Sequence, residues 1–194
     1  ISRADAILMV RLDTLKVINS SYIFTKEWKV YNDQEKKFLS LYLGSDKLGK
    51  KFSSRNFNAS TAVLDSVKNA SDFIFSAAIT PQSQNGVGLF VRGNYNNNYG
   101  YYFLIDGDRS NTWRITKLSS KGWLATEEII KGDIGNEVFQ NDKEYWLRVE
   151  ARGSQLAFFL SFDNNTYYKL GELKDAEFRS GGVGIAVLGG WLTF

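Results

Sequence analysis

Val87-Gly88-Leu89-Phe90-Val91-Arg92, Gly100-Tyr101-Tyr102-Phe103-Leu104-Ile105 and Trp113-Arg114-Ile115-Thr116-Lys117-Leu118 decide the fold. Each run is rich in aliphatic, aromatic and β-branched residues, and the gaps between them hold Asn94 to Asn98 and Asp106 to Asn111, which are turn formers. Three short strands joined by tight turns follow. Successive strand residues point to opposite faces, so Val87, Leu89 and Val91 share one side and Phe90 and Arg92 the other. Likewise Tyr101, Phe103 and Ile105 oppose Tyr102, Leu104 and Asp106, and Trp113 and Ile115 oppose Arg114 and Thr116. With the strands adjacent and the aliphatic side inward, the outer face carries Phe90, Arg92, Tyr102, Asp106 and Arg114. That patch mixes aromatic rings, guanidinium donors and a carboxylate.

The same pattern runs outward from Tyr22. Further runs are Trp28 to Tyr31, Phe38 to Leu43, Phe73 to Thr80, Glu127 to Ile130, Tyr145 to Arg152, Leu156 to Phe162, Tyr167 to Glu172 and Val183 to Leu188. This many short strands predicts a mainly β protein, a sandwich or barrel. Ala62 to Lys68 reads as a helical turn or a strand.

Residues 1–21 read differently. Ile1, Ala4, Leu8, Leu12, Leu15 and Ile18 recur at spacings of three and four, with Arg3, Asp5, Arg11, Asp13 and Lys16 mostly between them. This predicts an N-terminal amphipathic α-helix over 1–21 and a β-sandwich over 22–194. The chain begins at Ile1 with no signal-peptide pattern and breaks off inside a strand-like run at Phe194, so it reads as a piece of something longer.

Composition narrows the chemistry. The 194 residues include neither Cys nor His, which removes thiol nucleophiles, Ser-His-Asp triads, the usual zinc sites and His- or Cys-ligated haem. Carboxylate chemistry and binding remain. The net charge of +3 is spread along the chain, without the basic stripe that nucleic acid requires. No run of apolar residues is long enough to cross a membrane.

Three segments, NASDFIFSAAITPQSQNGVGLFVRGNYNNNYGYYFLID, KEYWLRVEARGSQLAFFLSFDNN and FRSGGVGIAVLGG, resemble in their order the concanavalin A-like lectin and glucanase superfamily, especially its laminin G-like members. The resemblance covers residues 22–194 and implies a jelly-roll of two curved antiparallel sheets whose concave face or bordering loops bind carbohydrate. The glucanase branch carries E-x-D-x-E or E-x-D-x-x-E on one strand, and this chain has no such segment. Its only adjacent acidic pair, Glu127-Glu128, points to opposite faces of a strand, which disfavours a glycoside hydrolase. The N-terminal stripe more weakly resembles the soluble half of the first helix of type IV pilins; such a pilin part would reach as far as about residue 55.

Sugars are held by aromatic faces packed on C–H groups and by amides and charges bonding hydroxyls. The densest such cluster is Tyr95, Tyr99, Tyr101 and Tyr102 with Asn94, Asn96, Asn97 and Asn98. Trp123 follows the turn Ser119 to Gly122 and is the tryptophan best placed to reach solvent. The carbohydrate site expected from the sequence is therefore Arg92, Asn94, Tyr95, Tyr99, Tyr102, Asp106, Arg114 and Trp123, the two arginines suiting an acidic sugar such as sialic acid. Asp106 to Asn111 has the Asp-Gly-Asp opening of a calcium loop without its later Glu, so calcium is the one cofactor left open. Asn19, Asn58, Asn69 and Asn164 begin N-x-S/T sequons, which chance alone supplies in a chain this rich in Asn and Ser.

The reading is a non-catalytic, extracellular or cell-surface glycan-binding adhesin module, displayed on a type IV pilus, with glycans and pilin subunits as partners. A protein-binding or structural filament subunit built on a laminin G-like sandwich stands as the alternative.

Overall fold

The computed structural model describes residues 6–11, 22–24, 28–33, 36–42, 59–64, 67–81, 86–94, 99–106, 110–119 and 126–188. Among these it places fourteen strands: β1 Ala6–Arg11, β2 Tyr22–Phe24, β3 Trp28–Asp33, β4 Lys36–Tyr42, β5 Ala59–Leu64, β6 Phe73–Pro81, β7 Gly86–Asn94, β8 Tyr99–Asp106, β9 Thr112–Leu118, β10 Thr126–Asp133, β11 Tyr145–Arg152, β12 Gln155–Ser161, β13 Tyr168–Lys174 and β14 Gly182–Leu188. They form two seven-stranded sheets, ordered β13-β12-β11-β6-β1-β4-β3 and β10-β9-β8-β7-β14-β5-β2. Every pairing between named strands is antiparallel. The protein is thus mainly β and a sandwich, as expected; of the run Ala62 to Lys68, Ala62 to Leu64 is strand within β5, and residues 65–66 lie outside the described residues.

The N-terminal helix is corrected. Residues 6–11 are β1, a central strand hydrogen-bonded to β4 on one side, with Met9 opposite Ser40, and to β6 on the other, with Met9 opposite Thr80. The run Ala6-Ile7-Leu8-Met9-Val10 is continuously apolar, and such a run suits a buried strand as well as a helix. Two filled ladder edges decide it here. The rest of 1–21 lies outside the described residues.

Alternation on β11 turns Tyr145, Leu147, Val149 and Ala151 inward, where they meet Val87, Leu89, Phe103 and Ile115 of the second sheet in one core. Phe158 of β12 is its hub, edge-on to Phe103 at 5.4 Å and to Trp113 at 6.3 Å.

The second sheet buries its other face as well. Phe90, Tyr102 and Leu104 are each 0% exposed and form a small second cluster with Val63 and Ala186. Phe90 lies opposite Tyr102 in the ladder, their rings 5.0 Å apart. Glycine makes this packing feasible. A Cβ on Gly93 or Gly100 would run into the Phe90 ring, and Gly100 sits at φ +151°, which a side chain rarely adopts.

Candidate functional site

The strands that were expected to be neighbours are neighbours, yet the outward patch drawn from them is not an open surface. Tyr102 is sealed, and burial raises its phenol pKa far above the usual range. Arg114 is 7% exposed, with its Nη2 2.8 Å from Asp106 Oδ1 and its Nη1 4.0 Å from Glu128. Burial holds the Asp106 carboxyl above its ordinary value, with Arg114 opposing. These two charges answer each other rather than a ligand.

Arg92 departs from the alternation altogether. The β7–β8 register slips between Val91 and Asn94, and Arg92, the residue in the bulge, has φ +50°. The slip turns its side chain to the end of the sandwich. There Nη2 donates to the Ser71 carbonyl at 2.7 Å and Nη1 to the Phe178 carbonyl at 3.4 Å, while Asp72 stands 3.9 Å away. Its side chain is 0% exposed, and desolvation lowers its pKa against the pull of Tyr101 and Asp72. Arg92 is therefore a cross-link tying β7 to the segments before β6 and β14.

That cross-link floors a cleft of about 380 Å³, within the range of small-ligand sites. Asn94, Tyr99, Lys68, Asn69, Phe178 and Ser180 line it. Asn94, Lys68, Asn69 and Ser180 are exposed; Tyr99 and Phe178 are half-buried. The walls are fixed from behind by two bonds between Ala70 and Gly181, 2.9 and 3.1 Å long. The Phe178 amide donates to the Tyr101 hydroxyl at 3.2 Å, and that hydroxyl donates to Asp175 at 2.7 Å. Lys117 completes the brace, 2.8 Å from Asp175 and 3.1 Å from Glu177. Burial alone would raise the Asp175 carboxyl, but Lys117, the Glu177 amide and the Tyr101 hydroxyl hold it below the usual range. Burial pushes the Tyr101 phenol up to about 12.

Of the expected residues, the structure brings Arg92, Asn94 and Tyr99 to one cleft and puts Tyr102, Asp106 and Arg114 elsewhere. Tyr95 and Trp123 lie outside the described residues. Lys68, Asn69, Phe178 and Ser180 escaped the sequence reading. Asn69 stood out only as a sequon, and nothing local shows that residues 67–70 and 178–182 meet. The cleft offers amides, a hydroxyl, a phenol, an ammonium group and two aromatic rings. No Asp or Glu is among its described lining residues, and what it supplies is hydrogen bonding and ring contact.

A calcium ion needs several oxygens converging on one point. Among the described residues no three acidic side chains converge in that way, and the Asp106 carboxylate is engaged by Arg114. The rest of the Asp106 to Asn111 loop is only partly described, residues 107–109 falling outside. No helix among the described residues is long and apolar enough to cross a membrane.

No family model and no curated protein sequence matches the chain. Solved structures do. The carbohydrate binding module CBM66 from Bacillus subtilis superposes with a TM-score of 0.59 at 18% identity, covering 88% of this chain and 91% of that one. The exoplasmic/lumenal domain of VIP36 in its Ca2+-bound form gives 0.51 at 9% identity, covering 97% and 84%. The same domain holding Ca2+ and Man2 gives 0.51 at 8%, covering 97% and 82%. These likenesses establish the fold, a β-sandwich of two antiparallel sheets.

Proposed function

We propose that the protein is a non-catalytic glycan-binding module that takes a short saccharide in the cleft at the end of the sandwich. One observation carries the reading: Asn94, Tyr99, Asn69 and Ser180 converge, with Phe178 and Lys68, on a preformed hollow whose walls are braced from behind. Amides and hydroxyls both donate and accept, which matches sugar hydroxyls, while the Tyr99 and Phe178 rings suit the apolar face of a pyranose. That the fold is shared with a carbohydrate binding module and with the exoplasmic/lumenal domain of VIP36, one structure of which holds Man2, is in keeping with this use. A secreted, surface or lumenal location goes with it.

Acidic-sugar recognition by Arg92 and Arg114 is not part of the proposal, because both side chains are buried and carbonyls and Asp106 engage their Nη groups. Display on a type IV pilus rested on a helix across residues 1–21, and with Ala6–Arg11 paired inside the sheet it too drops out.

A glycan array probed with the intact chain and with an Asn94→Ala/Tyr99→Ala variant tests the proposal. Binding by the intact chain and a loss of about tenfold or more in the variant, at unchanged circular dichroism, supports it; two or three lost sugar bonds amount to this. A blank array with binding to a matrix protein instead would favour the protein-binding alternative.

A further inference from the structure

The outer face of the first sheet carries an arrangement that the end cleft does not use. On β11, Trp146, Arg148 and Glu150 alternate with the inward residues, and Arg148 lies between Ser76 of β6 and Phe159 of β12. Trp146, Arg148, Phe159 and Tyr167 are each half-buried on this face or at its rim. The Tyr167 ring covers the guanidinium, with Arg148 Cζ 3.5 Å from its centroid. Its hydroxyl donates to Asn164 Oδ1 at 2.8 Å, fixing the ring where Asn164 turns at φ +60°. A cation held against an aromatic face is oriented before any ligand arrives.

Arg148 differs from the two arginines already described. Among the described residues no carboxylate lies within 4.0 Å of it and no acceptor meets its guanidinium, whereas the Nη groups of Arg92 and Arg114 are engaged; its Nε is buried without a partner, as theirs are. A guanidinium without a protein acceptor keeps its Nη donors for an incoming oxyanion. Lys169, opposite Phe159, adds a second positive charge paired to Glu172, and Glu150 lies one step further along, beside Ile74. The anion-accepting point is thus narrow, one fork between two aromatic residues rather than a basic stripe.

We infer that this face is a second saccharide subsite, specific for a carboxylate-bearing sugar such as a hexuronic acid. Arg148, clamped by Tyr167, takes the carboxylate through its paired N–H groups, and Trp146 and Phe159 receive the C–H face of the ring. The inference rests on the glycan-binding reading and adds to it a separate site with a separate ligand class.

The test is a titration of the intact chain with a hexuronic-acid oligosaccharide and with its carboxyl-reduced neutral counterpart, following the Trp146 indole resonance by NMR. The acidic oligosaccharide should move that resonance and the neutral one should not. Arg148→Gln should weaken the acidic ligand about tenfold, Arg148→Lys should fall between because it keeps the charge and loses the fork, and Asn94→Ala/Tyr99→Ala should leave it unchanged. If Arg148→Gln does not fold, Arg148→Lys carries the comparison. Equal shifts with both oligosaccharides, or no shift at Trp146 while the end cleft still binds its sugar, would overturn the second site alone. Failure of every saccharide at both places would overturn the glycan-binding reading itself.

Discussion

The two sheets treat their outward faces in opposite ways. On the second sheet, Phe90, Tyr102 and Leu104 are sealed as tightly as the inter-sheet core, and Arg114 turns to Asp106. On the first sheet, Ile74 is 62% exposed, and Trp146, Arg148 and Phe159 remain half-open. Both faces read alike in sequence, as aromatic residues alternating with a cation. What separates them is whether the polar groups have already spent their hydrogen-bonding capacity inside the protein. The Nη groups of Arg92 and Arg114 have oxygen partners; among the described residues those of Arg148 have only the face of a ring, while the Nε is buried and unpaired in all three. A binding residue is marked by unmet valence, and residue type alone does not report it.

The comparison breaks most sharply if the sealed face proves soft. Replacing Tyr102 by Ala empties a fully buried site beside Phe90 and should cost about 3–5 kcal/mol in denaturant unfolding. A cost near zero would mean that this face is open after all and that Tyr102 belongs with the ligand-facing residues. Arg92→Gln comes next. It removes donors to the Ser71 and Phe178 carbonyls and should cost about 2 kcal/mol, with the cleft loosened as a secondary effect. An unchanged midpoint would show that Arg92 is not the cross-link described.

The smallest effect concerns pH. The folded Tyr101 holds its proton up to about 12, whereas an unburied tyrosine releases it near 10.0, so the unfolded chain loses that proton first. Its contribution is complete below pH 10.0 and is lost as pH rises toward about 12. The melting temperature should fall across that window, less steeply in Tyr101→Phe; Tyr102 and Lys117, also raised, keep some slope in both proteins. Identical slopes would remove Tyr101 from the brace behind the cleft.

Much of the scaffold could be read from the chain. Tyr145–Arg152 is a strand at the very bounds its alternation predicts, and Phe73–Pro81, Thr112–Leu118 and Gly182–Leu188 depart by a residue or two. Local pattern fails where a partner decides. Ala6–Arg11 is a strand through its pairing with β4 and β6, which its unbroken apolar run does not announce, and the bulge at Arg92 shows only in the register of β7 against β8 and β14. Arg92 stands in a left-handed conformation that costs an ordinary residue about 1–2 kcal/mol, and alternation could not foresee it. The candidate site was legible in part for the same reason. Asn94 and Tyr99 adjoin one turn, but Lys68, Asn69 and Phe178 reach the cleft through contacts of long sequence separation. Nothing in the Tyr145–Arg152 strand marks Arg148, because its Tyr167 clamp comes from a separate turn.

The central claim is that saccharide enters the end cleft. Backbone amide shifts recorded while the intact chain is titrated with the strongest ligand from the glycan array test it directly. The account predicts that the largest shifts cluster at Asn69, Asn94, Tyr99, Phe178 and Ser180. Shifts concentrated on Thr116, Leu118 and Glu128 across the second sheet's outer face, with the cleft residues still, would contradict it.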